Sequence, residues 1–229
     1  MYTMEDLKTN RDAQITVFSI VFFLIAFPSY FAYASSNATG ELGGGVGDYQ
    51  VNGEISYVPL ASGSQYVNDG ETWEESYFTD TINNADDLNI VGVRFSLTYN
   101  EDEANGGINC AGVQDAADTI SASMGHEEHS ASADGQNTGG SGAHEIVVEW
   151  YNSSLLTGVI SDLSMKEIAD QLEMGEAGLG QYDASISVSA NAGGRIGCFK
   201  SDDGEEVQYV VELMVLDYTI VPYIDVNDV

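Results

Sequence analysis

Val91-Gly92-Val93-Arg94-Phe95-Ser96-Leu97-Thr98-Tyr99 alternates without a break, with Val, Val, Phe, Leu and Tyr at one set of positions and Gly, Arg, Ser and Thr at the other. Successive side chains of a strand point to opposite faces, so a period of two puts one face in a core and the other in water. The segment from Val207 to Ile220 is longer and apolar at both sets of positions, which is the pattern of a central strand near the C-terminus. Weaker alternation runs through Tyr49 to Leu60, Thr72 to Thr79, Thr119 to Met124, His144 to Tyr151 and Tyr182 to Ala190, and clusters of glycine and acid separate these stretches. One helix interrupts the series. Ser164-Met165-Lys166-Glu167 has the spacing of a capping box, Ile168 and Leu172 share a helical face, and Gly175 offers a stop. A short helix from about Met165 to Met174 follows, packed across a sheet edge or an open end. The expected fold is mainly β: an antiparallel β-sandwich of jelly-roll or immunoglobulin-like connectivity with one short helix.

Upstream, Ile15 to Ala34 (ITVFSIVFFLIAFPSYFAYA) carries no charge. At about 1.5 Å per residue such a helix covers roughly the 30 Å of a bilayer core once. Lys8 and Arg11 precede it and no base follows until Arg94, so the N-terminus is expected inside and the rest outside. Three fates of the segment fit the residues. It is retained as a signal anchor; or it is cleaved after the small-x-small sequence Ala32-Tyr33-Ala34; or it is processed at Ala13-Gln14. The last follows from Asp12-Ala13-Gln14-Ile15, which resembles the signal of archaeal type IV pilin-like proteins. That resemblance implies a cut after Ala13 and a filament built on the apolar helix, and only then a homo-oligomer.

The organisation expected is a cytoplasmic flank over 1–14, a transmembrane helix over 15–34, a glycine-rich tether over 35–47 and an extracellular sandwich over 48–229. The chain has 37 acids and 6 bases, a formal charge of −31, and only Glu5, Asp6, Asp12, Lys8 and Arg11 of these precede Ala34. A surface so negative repels nucleic-acid phosphates and anionic headgroups, which excludes both as partners of the domain. Composition alone would also permit disorder. With 43% hydrophobic and 10% aromatic residues, however, a core can be filled.

Several constellations bear on chemistry. Cys110 and Cys198 are the chain's two cysteines, and in an exported domain an even count implies a disulfide. Closing a loop of that length contributes on the order of 4 kcal/mol in the chain-entropy model. His126, His129 and His144 lie at the ends of a Ser-, Gly- and Ala-rich segment, Gly125 to Ala143. A loop there, closed by strands at Met124 and Glu145, would bring three imidazoles together for zinc or copper; otherwise it is a solvated hairpin loop. Glu101, Asp102 and Glu103, with Asp202, Asp203 and Glu205, concentrate hard oxygen ligands in two loops, as extracellular calcium sites do. Asn37 and Asn152 stand in glycosylation acceptor tripeptides. Trp73, Tyr77 and Phe78 are core residues or a sugar-stacking platform.

Catalysis finds no support. His126-Glu127-Glu128-His129 is one residue short of the zinc-protease spacing, Gly140-Ser141-Gly142 lacks that of a nucleophile elbow, and paired carboxylates arise by chance in so acidic a chain. The expectation is a non-enzymatic, membrane-anchored surface protein serving adhesion, envelope structure or ligand binding, with surface proteins or glycans as partners. In architecture it resembles archaeal membrane-anchored cell-surface β-sandwich proteins. The alternatives are the filament subunit and an extracellular domain that binds calcium, zinc or copper.

Overall fold

The computed structural model describes residues 47–100, 104–106, 116–137, 140–191, 194–195 and 198–224, with 11, 14, 15, 19, 22–27 and 29 near the N-terminus. Its strands are β1 (Gly47–Asn68), β2 (Thr72–Phe78), β3 (Ile90–Asn100), β4 (Ala104–Gly106), β5 (Asp118–His126), β6 (His129–Asn137), β7 (Ser141–Glu149), β8 (Ile160–Leu163), β9 (Gln181–Ser189), β10 (Gly194–Arg195), β11 (Cys198–Ser201) and β12 (Gly204–Pro222). Helix α1 (Met165–Leu172) lies between β8 and β9.

The strands form two principal sheets, β7-β3-β12-β1-β8 and β2-β9-β5-β6, and a small third one, β10-β11-β4. Every pairing among the described residues is antiparallel, and β1 runs against β12 from Tyr49↔Pro222 to Asn68↔Gly204, so the first and last long strands are neighbours. The two principal sheets pack face to face. Val93, Phe95, Leu97 and Tyr99 of β3 meet Ile120 and Met124 of β5 and Tyr182 and Ile186 of β9 in one core.

The alternation in β3 holds from Val93 to Tyr99 but not at Val91. The register passes from Gly92↔Met214 to Ile90↔Val215, leaving Val91 as an extra residue. A bulge of this kind turns one side chain to the other face. Ile90 therefore joins the core between the sheets, and Val91 joins a second core on the outer face of the larger sheet. The two-sided apolar pattern of β12 has the same origin: Leu213 and Val215 face the first core, Met214 and Leu216 the second.

Helix α1 covers that second core, with Ile168 and Leu172 fully buried. It lies on the sheet's outer face rather than across an edge or open end, because Met214, Leu216 and Val91 need cover there. The capping box is complete: the Glu167 N–H donates to Ser164 Oγ at 3.2 Å and the Ser164 N–H to Glu167 Oε2 at 2.8 Å. The Ser164 N–H and hydroxyl, both donating to Oε2, hold the Glu167 carboxyl below its usual range. The helix ends two residues before the expected Met174. Asn89, from the loop before β3, donates to the Leu172 carbonyl at 3.0 Å and accepts from the Met174 N–H at 2.9 Å, which diverts the chain out of the helix.

Gly125 to Ala143 is not a loop. It contains β6, paired with β5 from Asp118↔Asn137 to His126↔His129 across a turn at Glu127 and Glu128. Between His129 and Asn137 the inward residues of β6 are Ala131, Ala133 and Gly135, small enough that the strand has almost no hydrophobic signal. Near the N-terminus residues 22–27 are helical, with Leu24 69% and Ile25 62% exposed. Among the described residues no helix is long and apolar enough to cross a membrane.

Candidate functional site on the outer face of the smaller sheet

The polar half of the alternation in β5 and β9 consists mostly of hydroxyl residues: Thr119, Ser121 and Ser123 on one, Ser185, Ser187 and Ser189 on the other. Pairing lines them up across the sheet. Thr72, Ser187, Ser121 and Asp134 form one row; Glu74, Ser185, Ser123 and Ser132 form the next; Ser76, Asp183, Gly125 and Ser130 form a third. Neighbouring strands stand about 4.8 Å apart and alternate residues about 6.8 Å, which makes a flat lattice of small polar groups. Hydroxyls bond within rows, Ser123 to Ser185 and Thr72 to Ser187, each at 2.7 Å.

At one end this face becomes a groove of about 630 Å³, lined by Glu74, Glu75, Ser76, Phe78, Ser123, Asp183, Ala184 and Ser185. The Asp183 carboxylate accepts from Ser76 Oγ and Gln181 Nε2, each at 2.6 Å, and those donors hold its pKa below the usual range. Of the three aromatic candidates, Trp73 and Tyr77 turn inward against Tyr209, at ring distances of 5.1 and 6.3 Å. Phe78 is 45% exposed and borders the groove. Of the three expected platform residues only Phe78 is exposed at the groove, and the hydroxyl face, which the Ser-x-Ser spacing of β5 and β9 spells out, was not among the expectations.

The three histidines do not converge. His126 and His129 face each other at the β5–β6 turn. His144 sits opposite Leu97 on β7, beside Gly135 of β6, six residues and so roughly 20 Å along the strand from His129. The strand that replaced the expected loop is what separates them. His126 is buried, its Nδ1 2.9 Å from the Gln181 carbonyl and its Nε2 2.7 Å from that of Ala177.

The two acidic loops fare differently. Glu101, Asp102 and Glu103 lie outside the described residues. Glu205 is fully buried in β12 instead of standing in a solvated loop: Oε1 accepts from the Asn100 N–H at 3.0 Å and Oε2 from Asn137 Nδ2 at 3.4 Å. Asn137 also donates to the equally buried Asp118, at 3.3 Å, while Asp118 Oδ1 accepts from the Asn191 N–H at 2.6 Å. Asp118 and Asn137 carried no signal in the sequence, since acids and amides end many strands here. Asp202 is half-buried and accepts from the Gly204 N–H at 3.1 Å; Asp203 is exposed. Among the described residues no group of three or more His, Cys, Asp or Glu side chains could hold a metal ion.

Cys198 is buried on β11 and is not a free thiol; Cys110 lies outside the described residues. Asn37 also lies outside them. Asn152 is exposed; its amide donates to Gln171 Oε1 at 2.8 Å and its Oδ1 accepts from Ser154 at 2.6 Å. No protein-family model matches the chain, and no curated protein matches its sequence.

Proposed function

We propose that this chain is a membrane-anchored cell-surface protein whose external domain, a jelly roll, captures glycans on the outer face of its smaller sheet and does not turn them over. The observation that carries this reading is the hydroxyl lattice ending in a groove with an exposed aromatic ring. Sugars offer hydroxyls that donate and accept at once and an apolar C–H face. Serine hydroxyls, the Glu74 and Asp183 carboxylates and the Phe78 ring complement those groups. The strand order supports a jelly roll: with β8 set aside as an added edge strand of the five-stranded sheet, β1-β12-β3-β7 faces β2-β9-β5-β6 with the chain passing between them, an architecture shared by many lectin domains. That likeness to lectins is an analogy of fold.

The uncharged segment Ile15 to Ala34, its basic flank and the strongly acidic remainder support an anchor with the domain outside. A bridge between Cys110 and Cys198 suits that compartment. Binding of the full-length protein to a glycan array, compared with Phe78→Ala and Asp183→Asn, tests the reading. Wild-type signal lost in both variants is expected, and signal retained in both, or no glycan bound, would sink it.

The filament subunit is a second reading, favoured by Asp12-Ala13-Gln14 alone. Intact mass of native material separates the two: Met1 retained for the anchor, Gln14 first for the filament.

A further inference from the structure

We infer that the side-chain amide of Asn152 is the attachment point of an N-linked glycan on the exported domain. In the whole chain only Asn37 and Asn152 are followed two residues later by a hydroxyl residue, and of these Asn152 alone lies among the described residues. An acceptor of this kind needs its amide nitrogen within reach of a transferase and a hydroxyl beside the amide, which is why the tripeptide ends in serine or threonine. The tripeptide alone is only a pattern. The local fold adds the exposure and the pairing of the two groups.

Asn152, Ser153 and Ser154 are exposed in succession on the short turn between β7 and β8, while Leu155 behind them is buried and pins the turn to the second core. The chain folds back on itself here, with the Leu155 N–H donating to the Asn152 carbonyl at 3.1 Å. That turn brings the Ser154 hydroxyl to Asn152 Oδ1, to which it donates at 2.6 Å. The hydroxyl and the amide that a transferase must engage together are therefore already side by side in the folded chain. Asn152 Nδ2 donates to Gln171 Oε1 of α1 at 2.8 Å. A primary amide nitrogen carries two hydrogens and attachment of a sugar removes one, so the nitrogen keeps a donor for Gln171.

The step uses an activated donor, a glycan carried on a lipid phosphate. Asn152 Nδ2 bonds to the anomeric carbon as the bond from that carbon to the phosphate oxygen breaks; the nitrogen gives up one proton, and the lipid phosphate leaves with the electron pair. No atom changes oxidation state. The position keeps the rest of the surface in use. Gln171 belongs to α1, which covers the outer face of the larger sheet, so the glycan stands on the opposite side of the sandwich from the hydroxyl face and leaves that face open. It shields the turn itself, where Val159 is 44% exposed. The inference rests on the reading that the domain is exported, since acceptor tripeptides are used on secreted surfaces, and it is independent of glycan capture.

Full-length protein from the cells that make it tests this. A glutamyl endopeptidase cuts after Glu149 and Glu167 and releases residues 150–167, and mass spectrometry of that peptide reads the attachment. The wild-type peptide is expected to carry the mass of sugar residues, lost in Asn152→Gln and in Ser154→Ala and kept in Ser154→Thr. A bare peptide from protein that an added protease removes from intact cells, or that is recovered from the medium, overturns the inference and leaves export standing. Protein that is absent from the medium and that the protease cannot reach overturns export and the inference with it. Sugar mass that persists in Asn152→Gln also overturns the inference, because a hydroxyl of Ser153, Ser154 or Thr157 then holds the glycan. Should a variant fail to fold, fragmentation of the wild-type peptide places the sugar on Asn152 or on a hydroxyl and decides alone.

Discussion

His126 lies flat against Tyr182, ring centroids 4.2 Å apart and planes 13° from parallel. Its ring nitrogens reach the carbonyls of Gln181 and Ala177, while the Tyr182 hydroxyl donates to Gly178 at 2.7 Å. One side chain thus ties the end of β5 to the start of β9 and to the turn Gly175–Gly178 that follows α1. His126→Phe preserves a ring against Tyr182 and removes both polar contacts. Leaving buried carbonyls without their partner costs about 1–3 kcal/mol. Urea denaturation should show a lower midpoint with an unchanged slope, and an unchanged midpoint would refute the tie.

Gly135 and Gly142 make room for one ring. A Cβ at Gly135 would collide with the Tyr99 hydroxyl and His144 Nδ1, and one at Gly142 with the Tyr99 ring. Tyr99 is 1% exposed, so it has nowhere to go. Gly135→Ala is expected to cost about 1–3 kcal/mol by overpacking, although alanine is ordinarily the better strand residue. Gly140→Ala, with open space around it, should be neutral. Equal thermal midpoints for the two variants would remove the steric argument.

The same crowding explains what the sequence disclosed and what it did not. The alternation of β3 and the two-sided pattern of β12 announced the larger sheet, because burying one or both faces leaves a periodic trace. Ser164 and Glu167 announced the helix start, since a cap is a local device. Its end was set by Asn89, distant in the chain, and no window around Met174 contains that information. Strand β6 was invisible for a related reason: its inward positions include Ala131, Ala133 and Gly135, the last of them bare to accommodate Tyr99 and His144, so its core face lacks large hydrophobic residues. Missing that strand is what made three dispersed histidines look like a cluster. The hydroxyl face was legible and overlooked, whereas Asp118 and Asn137 acquire meaning only when β5, β6 and β12 meet.

Asn137 is the donor between two fully buried carboxylates, reaching Asp118 Oδ2 at 3.3 Å and Glu205 Oε2 at 3.4 Å, while its own Oδ1 accepts from the Asp118 N–H at 2.7 Å. Asn137→Ala removes the donor and leaves the acids facing a void. Buried polar groups left without their hydrogen-bond partner cost about 1–3 kcal/mol each. Asn137→Asp should be at least as damaging, because it adds a third acid. A loss below about 1 kcal/mol in chemical denaturation would mean that the other contacts of Asp118 and Glu205 suffice, as expected for an exposed cluster.

His144 gives the fold a pH dependence of definite sign. The imidazole stands edge-on to Tyr99 at 5.8 Å, with Nδ1 3.3 Å from the Tyr99 hydroxyl and Nε2 buried without a hydrogen-bond partner among the described residues. Burial lowers its pKa from the ordinary 6.5, and the negative charge of Asp134 only partly opposes that. The unfolded chain therefore takes up a proton near pH 6.5 that the folded chain resists. The stability this group contributes is complete above that pH and declines as pH falls below it, until the folded form also protonates. His144→Gln should flatten the dependence in this window. Every other side chain is common to both proteins, so the difference between the wild-type and His144→Gln stability curves isolates this one site. A difference curve that stays level from pH 7.5 to 5, a range of about one to one and a half units either side of the unfolded value, would show that His144 is solvated in the native state.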